Sequence, residues 1–278
     1  MASIIAGIDY GEASVSLLQA VSTLRRRLRA TLYLYHAYQI PRGMPFLSAH
    51  VIEALEAEAH AESEKRLRAF LSAHLSPAQR RGIRLLVQRE FVSEGLHQHL
   101  TTDRYDLLGI GAFGAESEKE TIGFHARHFI RNSSIPVLIT YPGSIIPWNR
   151  MLLVYDAEFR PAGLPRVRRF LRRLQVSFAG LPVTHLNDLQ KHHQKLRKLV
   201  GSAPYEPFSW QGAGLVQVIR GAAAFVGADT VGILMDPEPI IEGLQATPPE
   251  TLHQSPGWIF FPRAKQNPSA KGEGADEL

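Results

Sequence analysis

The sequence predicts an α/β protein built from two tandem, doubly wound, mostly parallel five-strand sheets. Short apolar runs that suit buried strands alternate along the chain with longer segments of helical periodicity. The pattern then starts a second time, because residues 151–156 (MLLVYD) repeat the character of residues 4–9 (IIAGID). Strands that alternate with helices favour parallel sheets covered on both faces.

The repeat divides the 278 residues into a first domain, 1–142, a second domain, 149–264, and a tail, 265–278, which we expect to be mobile. An apolar content of 45% and a charged content of 21% are typical of a globular protein. No run approaches the roughly 18–20 apolar residues of a membrane helix, and no signal peptide is recognisable at the N-terminus. We therefore expect a cytoplasmic protein. The absence of cysteine excludes disulfides and thiolate metal sites.

The elements of the first domain follow from apolar periodicity and from glycine and proline boundaries. Strands are expected at 3–8, 30–37, 84–91, 105–110 and 137–140, and helices at 16–28, 49–74, 93–102 and after Gly123. The 49–74 segment contains no Gly or Pro. The helix after Gly123 should end before Pro136, because the residue preceding a proline is pushed away from the α region.

The second domain repeats this order without a glycine loop. Strands are expected at 151–155, 182–186, near 204–210, at 229–235 and at 257–261, and helices at 162–178, 188–200 and 215–226. Between the last two strands stands the segment 236–250 (DPEPIIEGLQATPPE), which we expect to be a loop. Its prolines remove amide donors and its acidic side chains repel phosphate, so we expect no nucleotide binding in the second domain.

The clearest sign of function lies in residues 105–140. The apolar run that begins at Tyr105 stops at Gly111, and Gly111-x-x-Gly114 then opens a polar loop that ends at Gly123, where a helix begins. A strand, a glycine loop and a helix form the geometry in which loop amides and a helix N-terminus hold a phosphate. His125 and the cations after it would add positive charge in the first helical turn.

This stretch resembles the signature of the universal stress protein family, in which Gly-x-x-Gly, about nine residues and Gly-Ser/Thr follow a strand and precede Pro-Val-Leu. Gly111-x-x-Gly114 and 135–138 (IPVL) match that pattern. The spacer to Gly123 is one residue short, and Phe124 stands where ATP-binding members have a small hydroxyl residue and would occupy phosphate space. Further motifs match at 9–14 and 34–37, so the resemblance spans about 1–142.

The resemblance implies that the first domain binds an adenine nucleotide, ATP or AMP, or another small anionic ligand. The implied site residues are Asp9, Ala37, Ile110, Gly111, Gly114, Gly123, Phe124 and His125. In the family the Asp approaches the ribose–adenine side, the ends of strands two and four meet the base, and the glycine amides hold phosphates. The family's final strands pair across domains, which implies an internal pseudo-dimer that is a monomer, or a dimer through another surface.

Beside nucleotide binding, we consider two other functions and a metal site. The protein could be a ligand-free interaction module that regulates a transporter or an enzyme, whereas catalytic ATP hydrolysis lacks an identifiable base. A metal site is not expected, because zinc takes three or four ligands and no third residue joins the pair His125 and His128.

A basic face lies in the second domain. Residues 160–200 carry ten Lys/Arg against the single acid Asp188, which suits either a solvated face or a dock for an acidic partner protein. An anionic membrane surface is a further alternative. Nucleic acid is less favoured, since stacking aromatic residues are absent from the polar flank.

Overall fold

The computed structural model describes residues 2–40, 48–101, 104–114, 121–156, 159–183, 189–200, 205–207, 214–253 and 255–264. The strands of its first half are β1 (Ser3–Gly7), β2 (Thr31–Tyr38), β3 (Ile83–Arg89), β4 (Leu107–Gly111) and β5 (Val137–Thr140). The helices of this half are α1 (Glu12–Leu28), α2 (Ala49–His74), α3 (Pro77–Arg80), α4 (Val92–Leu100) and α5 (Phe124–Asn132).

The second half contains the same succession of strands. These are β6 (Arg150–Tyr155), β7 (Ser177–Pro182), β8 (Tyr205–Pro207), β9 (Thr230–Leu234) and β10 (Gly257–Phe260). Its helices are α6 (Leu164–Leu174), α7 (Leu189–Val200), α8 (Leu215–Phe225), α9 (Glu238–Gln245) and α10 (Pro249–Leu252).

The ten strands form one continuous sheet in the order β3-β2-β1-β4-β5-β10-β9-β6-β7-β8. The order within each half is the same when it is read outward from the centre, and every pairing within a half is parallel. The halves meet where β5 pairs with β10 in the antiparallel sense, with Trp258 opposite Ile139. The predicted fold class is confirmed, and its two five-strand sets are joined edge to edge.

Helices cover both faces of the sheet because the strand side chains alternate between two apolar layers. Helices α1, α2, α6 and α7 pack on one face, in a core that includes Ile4, Leu17 and Phe170. Helices α4, α5, α8 and α9 pack on the other face, in a core that includes Ile5 and Phe129. Each core runs through both halves, so burial of apolar surface joins the halves as well as stabilising each of them.

Three polar contacts also join the halves or the connection between them. The buried indole of Trp148, in the connection between them, donates its Nε1–H to the carbonyl oxygen of Ala20 in α1 at 3.0 Å. The Trp148 carbonyl oxygen in turn accepts a hydrogen bond from Arg27. On the opposite face, the guanidinium of Arg131 in α5 forms a two-pronged ion pair with Glu238 in α9, with both N–O distances 2.7 Å.

The structure differs from the predictions mainly in the second half. Helix α6 ends at Leu174 because Gln175 adopts a left-handed conformation (φ 51°), and β7 follows directly. The predicted helix 162–178 and strand 182–186 were therefore wrong in their bounds. The segment 236–250 is not a loop but contains α9 and the start of α10, because apolar residues such as Ile240 and Leu244 recur at helical spacing and are buried.

Several predictions fall on residues outside the described ranges. These are the tail 265–278, most of the expected strand near 204–210, and part of the expected strand 182–186. No helix among the described residues is long and apolar enough to cross a membrane.

Candidate functional site

The predicted site residues come together at the carboxyl edge of the first half. Asp9 follows β1, Ala37 lies near the end of β2, and Ile110 and Gly111 end β4. Strands β1 and β4 are neighbours, and the helices that follow them, α1 and α5, lie on opposite faces of the sheet. In open α/β sheets, a crevice forms at the carboxyl ends of two neighbouring strands whose following helices lie on opposite faces, and ligands bind in that crevice.

Asp9 is fixed by the turn that leads into α1. Its Oδ1 accepts hydrogen bonds from the Ser14 hydroxyl at 2.6 Å and from the Gly11 amide at 3.0 Å. The Asp9 amide donates to the Ser14 hydroxyl at 3.1 Å. Oδ2 is left facing the glycine loop, since a Cβ added to Gly114 would lie 3.4 Å from it. Asp9 and Ser14, both in the family-like motif at 9–14, are thus hydrogen-bonded to each other, and Ser14 holds the carboxylate in place.

The glycines bring the backbone of the loop close to its neighbours. A Cβ at Gly111 would lie 3.0 Å from the Cβ of Ala13, a tight contact between the end of β4 and the start of α1. The amide of Gly123 donates to the carbonyl oxygen of Ala112 at 2.6 Å, which pins the two ends of the loop together. Residues 115–120, with the glutamates at 116, 118 and 120, lie outside the described residues.

Helix α5 begins at the end of this loop, and within the described residues no side chain caps its N-terminus. Gly123 is the N-cap residue and provides no side-chain hydrogen bond, and no acidic residue lies in the first turn. The first intrahelical bond runs from the Arg127 amide to the Gly123 carbonyl oxygen at 3.1 Å. The amides of Phe124, His125 and Ala126 therefore precede the regular bonding of the helix, and such amides are the donors that an anion meets at a helix N-terminus.

The Phe124 side chain lies on the outer surface of α5. It is 64% exposed, and its ring stacks beside that of His128 with centroids 6.2 Å apart and an interplanar angle of 23°. Its contacts within the described residues are thus with its own helix, and its place relative to a bound phosphate stays a prediction. Ile110, by contrast, is buried, and Ala37 is half-buried against the core on the α5 side of the sheet.

The histidines at the site are less basic than the sequence suggested. Loss of hydration lowers the pKa of His125, and the neighbouring His128 lowers it further, against an opposing effect from the Asp9 carboxylate. The pKa of His36, at the end of β2, is also lowered by burial. Both imidazoles are therefore neutral near pH 7 in the ligand-free protein, so His125 does not supply the expected charge at the helix N-terminus.

Sequence reasoning missed an aromatic cluster next to the site. Tyr10, which adopts a positive φ of 70°, packs its ring 4.6 Å from that of His36 and 5.5 Å from that of Phe70. The guanidinium carbon of Arg66 lies 4.4 Å from the Tyr10 ring centroid. No local pattern indicates this cluster, because Arg66 and Phe70 come from α2, far along the chain from Tyr10.

The equivalent edge of the second half has a different chemistry. Asp236 follows β9 directly, and its Oδ1 accepts a hydrogen bond from the Glu238 amide at 3.1 Å, in the first turn of α9. Its Oδ2 lies 3.1 Å from Arg263. The protein's own carboxylate thus occupies the helix N-terminus that corresponds to that of α5.

Comparison with known proteins bears on the fold. No protein-family model matches the chain, and no curated protein matches its sequence. Among solved structures, a universal stress protein from Archaeoglobus fulgidus matches with a TM-score of 0.64 and 13% identity, over 94% of this chain and 98% of that one.

Two proteins from Pseudomonas aeruginosa also match over nearly their whole length. A candidate universal stress protein matches with a TM-score of 0.54 and 11% identity, covering 94% of this chain and 93% of that one. A protein of unknown function matches with a TM-score of 0.52 and 11% identity, covering 94% of this chain and 92% of that one. The chain therefore has the fold of the universal stress proteins through both of its halves.

Proposed function

We propose that the protein is a tandem universal stress protein, a cytoplasmic stress-response or signalling protein that binds an adenine nucleotide, ATP or AMP, or another small anionic ligand in its first half. The observation that carries this proposal is the convergence of Asp9, Gly114 and the uncapped N-terminus of α5 at one sheet edge. The proposed domain limits remain 1–142 and 149–264.

The two sides of this site suit the two ends of a nucleotide. The amides of residues 124–126 at the start of α5 would favour phosphate, because the free donors and the positive end of the helix dipole lie at a helix N-terminus. Asp9 would repel phosphate, so its free Oδ2 fits the sugar, whose hydroxyl groups can donate to it. Buried Ile110 provides apolar surface for a base, and the backbone near Ala37 provides its polar contacts.

We propose binding without catalysis. The Asp9 carboxylate is held by Ser14 and by the Gly11 amide, which suits a fixed acceptor for a ligand hydroxyl. In the second half we propose no nucleotide site, because the Asp236 carboxylate already bonds the first-turn amide of α9.

The test is calorimetric titration of the intact chain with ATP, ADP and AMP. Gly114→Asp should abolish binding, because its carboxylate would meet both Asp9 and the ligand phosphates. Two charges about 5 Å apart at an effective dielectric near 20 repel by roughly 3 kcal/mol, which is more than a hundredfold in affinity. Gly114→Ala is the matched control, since its Cβ makes only an ordinary 3.4 Å contact, and it should bind nearly as the unchanged chain does.

Two results would refute the nucleotide proposal. One is the absence of both heat and thermal shift at millimolar ATP, ADP and AMP in the unchanged chain. The other is unaltered binding by Gly114→Asp, which would put the ligand at another site.

The second candidate function is a ligand-free module that regulates a partner transporter or enzyme through an acidic surface of that partner. The specific observation in its favour is that residues 159–183 carry six arginines and no acid. Loss of partner regulation on charge reversal in α6, with no change in nucleotide titration, would favour this function.

A further inference from the structure

A basic surface extends across both halves of the molecule on one face of the sheet. We define it by the carboxyl-terminal end of α1, by α6 and by α7. The last turn of α1 carries Arg25, Arg26 and Arg27, and Arg29 follows immediately. The sequence of α7 adds four Lys/Arg and no acid in twelve residues. The sequence alone indicated only the part of this surface that lies in the second half.

Packing makes these three helices one surface. Helix α1 contacts α6 across the junction of the halves, and α6 contacts α7. Leu24, Phe170 and Leu196, one from each helix, belong to the same buried cluster. The Arg27 guanidinium reaches the carbonyl oxygen of Leu174 at the end of α6, at 3.4 Å. Arg27 of α1 therefore lies at the carboxyl-terminal end of α6, whose last turn carries Arg172 and Arg173.

Eight arginines of this surface, those at 25–29 and 168–173, form no ion pair with a carboxylate within the described part of the chain. No described carboxylate lies within 4.0 Å of any of them. Arg25 and Arg27 donate to backbone carbonyl oxygens instead. Burial lowers the pKa of Arg25, and the adjacent positive charge of Arg26 lowers it further. Five of the arginines are exposed: Arg26, Arg29, Arg169, Arg172 and Arg173.

The corresponding helix of the first half provides an internal comparison. Helix α2 occupies the position that α7 has in the second half, yet it mixes charges of both signs. Its cations form ion pairs within the helix, Lys65 with Glu62 at 3.5 Å and Arg68 with Glu64 at 2.5 Å. A solvated helix in this fold therefore does not need a single sign of charge.

We infer that the basic surface docks the phosphate backbone of double-stranded nucleic acid, in preference to the acidic partner protein of the second candidate function and contrary to the expectation from the sequence. An interface with a protein usually carries aromatic anchors, and a membrane-bound helix buries an apolar face. Among the described residues, the large exposed hydrophobic side chains are Val51, Phe91, Phe124, Ile145 and Phe225, and none of them lies on α1, α6 or α7. Single strands would need aromatic stacking partners, which this surface also lacks.

Chemistry and size both favour a duplex. Eight of the cations, those at 25–29 and 168–173, are arginines, whose planar forks match phosphate oxygens. Helix α6 is roughly 16 Å long, and three helices side by side span roughly 20 Å between the outer axes. A duplex presents about one negative charge per 1.7 Å of its axis, so a duplex segment of this length carries about ten phosphates on its two strands, of which roughly half can face one surface. This inference is independent of the proposed nucleotide site.

The test measures binding of the full chain to a fluorescent 20-base-pair duplex by anisotropy between 50 and 200 mM salt. We expect binding at 50 mM that weakens with salt, with a log–log slope of about −0.9 per phosphate contacted. Arg172→Glu with Arg173→Glu should weaken binding at least tenfold and make the slope shallower by about two. The matched control, Lys65→Glu with Arg68→Glu, changes the net charge equally and should change affinity less than threefold.

A second variant tests whether the surface includes the first half. Arg26→Gln with Arg29→Asn removes two charges, and asparagine tolerates the left-handed backbone at position 29 (φ 50°). It should also weaken duplex binding by several fold. Absence of duplex binding at 50 mM salt, or equal losses in the α2 control, would overturn the inference. Tighter binding to polyglutamate or to vesicles with 30% anionic lipid, at the same salt, would overturn it in favour of a protein or a membrane.

Discussion

Trp148 is the side chain whose replacement best tests how the two halves are held together. It lies in the connection before β6, it is fully buried, and its indole donates to Ala20 in α1. Trp258, in β10 at the central strand pair, is equally buried on the opposite side of the sheet. Its Nε1 has no hydrogen-bond partner among the described residues. The two tryptophans therefore differ in hydrogen bonding while they share size and burial.

The matched perturbations are Trp148→Phe and Trp258→Phe. Both remove the same volume, so the cavity and transfer costs are similar. Trp148→Phe also loses a buried hydrogen bond worth about 1 kcal/mol, whereas Trp258→Phe removes an unpaired buried donor that costs about 1 kcal/mol or more. Trp148→Phe should therefore be the less stable variant by about 2 kcal/mol. With an unfolding entropy of about 2.1 cal/mol/K per residue, that difference lowers Tm by about 3–4 °C.

The assay is urea unfolding of both variants, followed by tryptophan fluorescence and by far-ultraviolet circular dichroism. Equal stabilities of the two variants would refute the assignment of a stabilising bond to Trp148 Nε1. If Trp148→Phe uncouples the halves, the two probes should no longer report a single transition. A single transition with the predicted loss would show that the halves stay cooperative without the Trp148 hydrogen bond.

Three further predictions concern pH, the ion pair between the halves, and assembly. Because burial lowers the pKa of His36, the unfolded chain takes up its proton first, so the free energy of unfolding should fall as pH drops below about 6.5. His36→Gln should reduce that slope between pH 7 and 5.5 in chemical denaturation, and an unchanged slope would contradict this. Glu238→Gln breaks the exposed pair with Arg131 and should cost less than about 1 kcal/mol, a loss that vanishes in 1 M salt; a loss that persists in salt would mean another cause. A fragment of residues 1–145 exposes β5 and should self-associate in light scattering, whereas a monodisperse monomer would argue against the internal pseudo-dimer.

The sequence predicted the first half well because its boundaries are chemically marked. The helix 49–74 coincides with α2, and the strand 137–140 coincides with β5, since Gly, Pro and polar residues bound both segments. The boundary between α6 and β7 has no such mark. Leu174 and Phe178 keep an i, i+4 apolar spacing across it, so the helical periodicity of the sequence continues past the point where the left-handed Gln175 ends the helix. Tertiary packing, rather than local sequence, determines the backbone conformation of Gln175.

The candidate site was predictable in position and only partly in chemistry. Parallel strands bring their carboxyl ends to one edge, so Asp9 and Gly111 had to lie near each other once the strands were recognised. The charge of His125 was not predictable, because its pKa depends on lost hydration and on His128. The ring contacts of Tyr10 were not predictable either, because Arg66 comes from a helix more than fifty residues away in the sequence.

The two halves share a fold, but they use the same structural position for different purposes. In the first half, the helix that follows the fourth strand begins with free amides beside Gly123. In the second half, the corresponding helix begins with Asp236 bonded to its first turn, and its Glu238 reaches across to Arg131. An anion at that second edge would have to displace the Asp236 carboxylate, and the Glu238 carboxylate would repel it. Glu238, one of the two acids at this edge, therefore also forms the exposed ion pair with Arg131 of the first half, whereas Asp236 pairs with Arg263 within its own half. One side chain thus bears both on the proposed exclusion of phosphate and, weakly, on the contact between the halves.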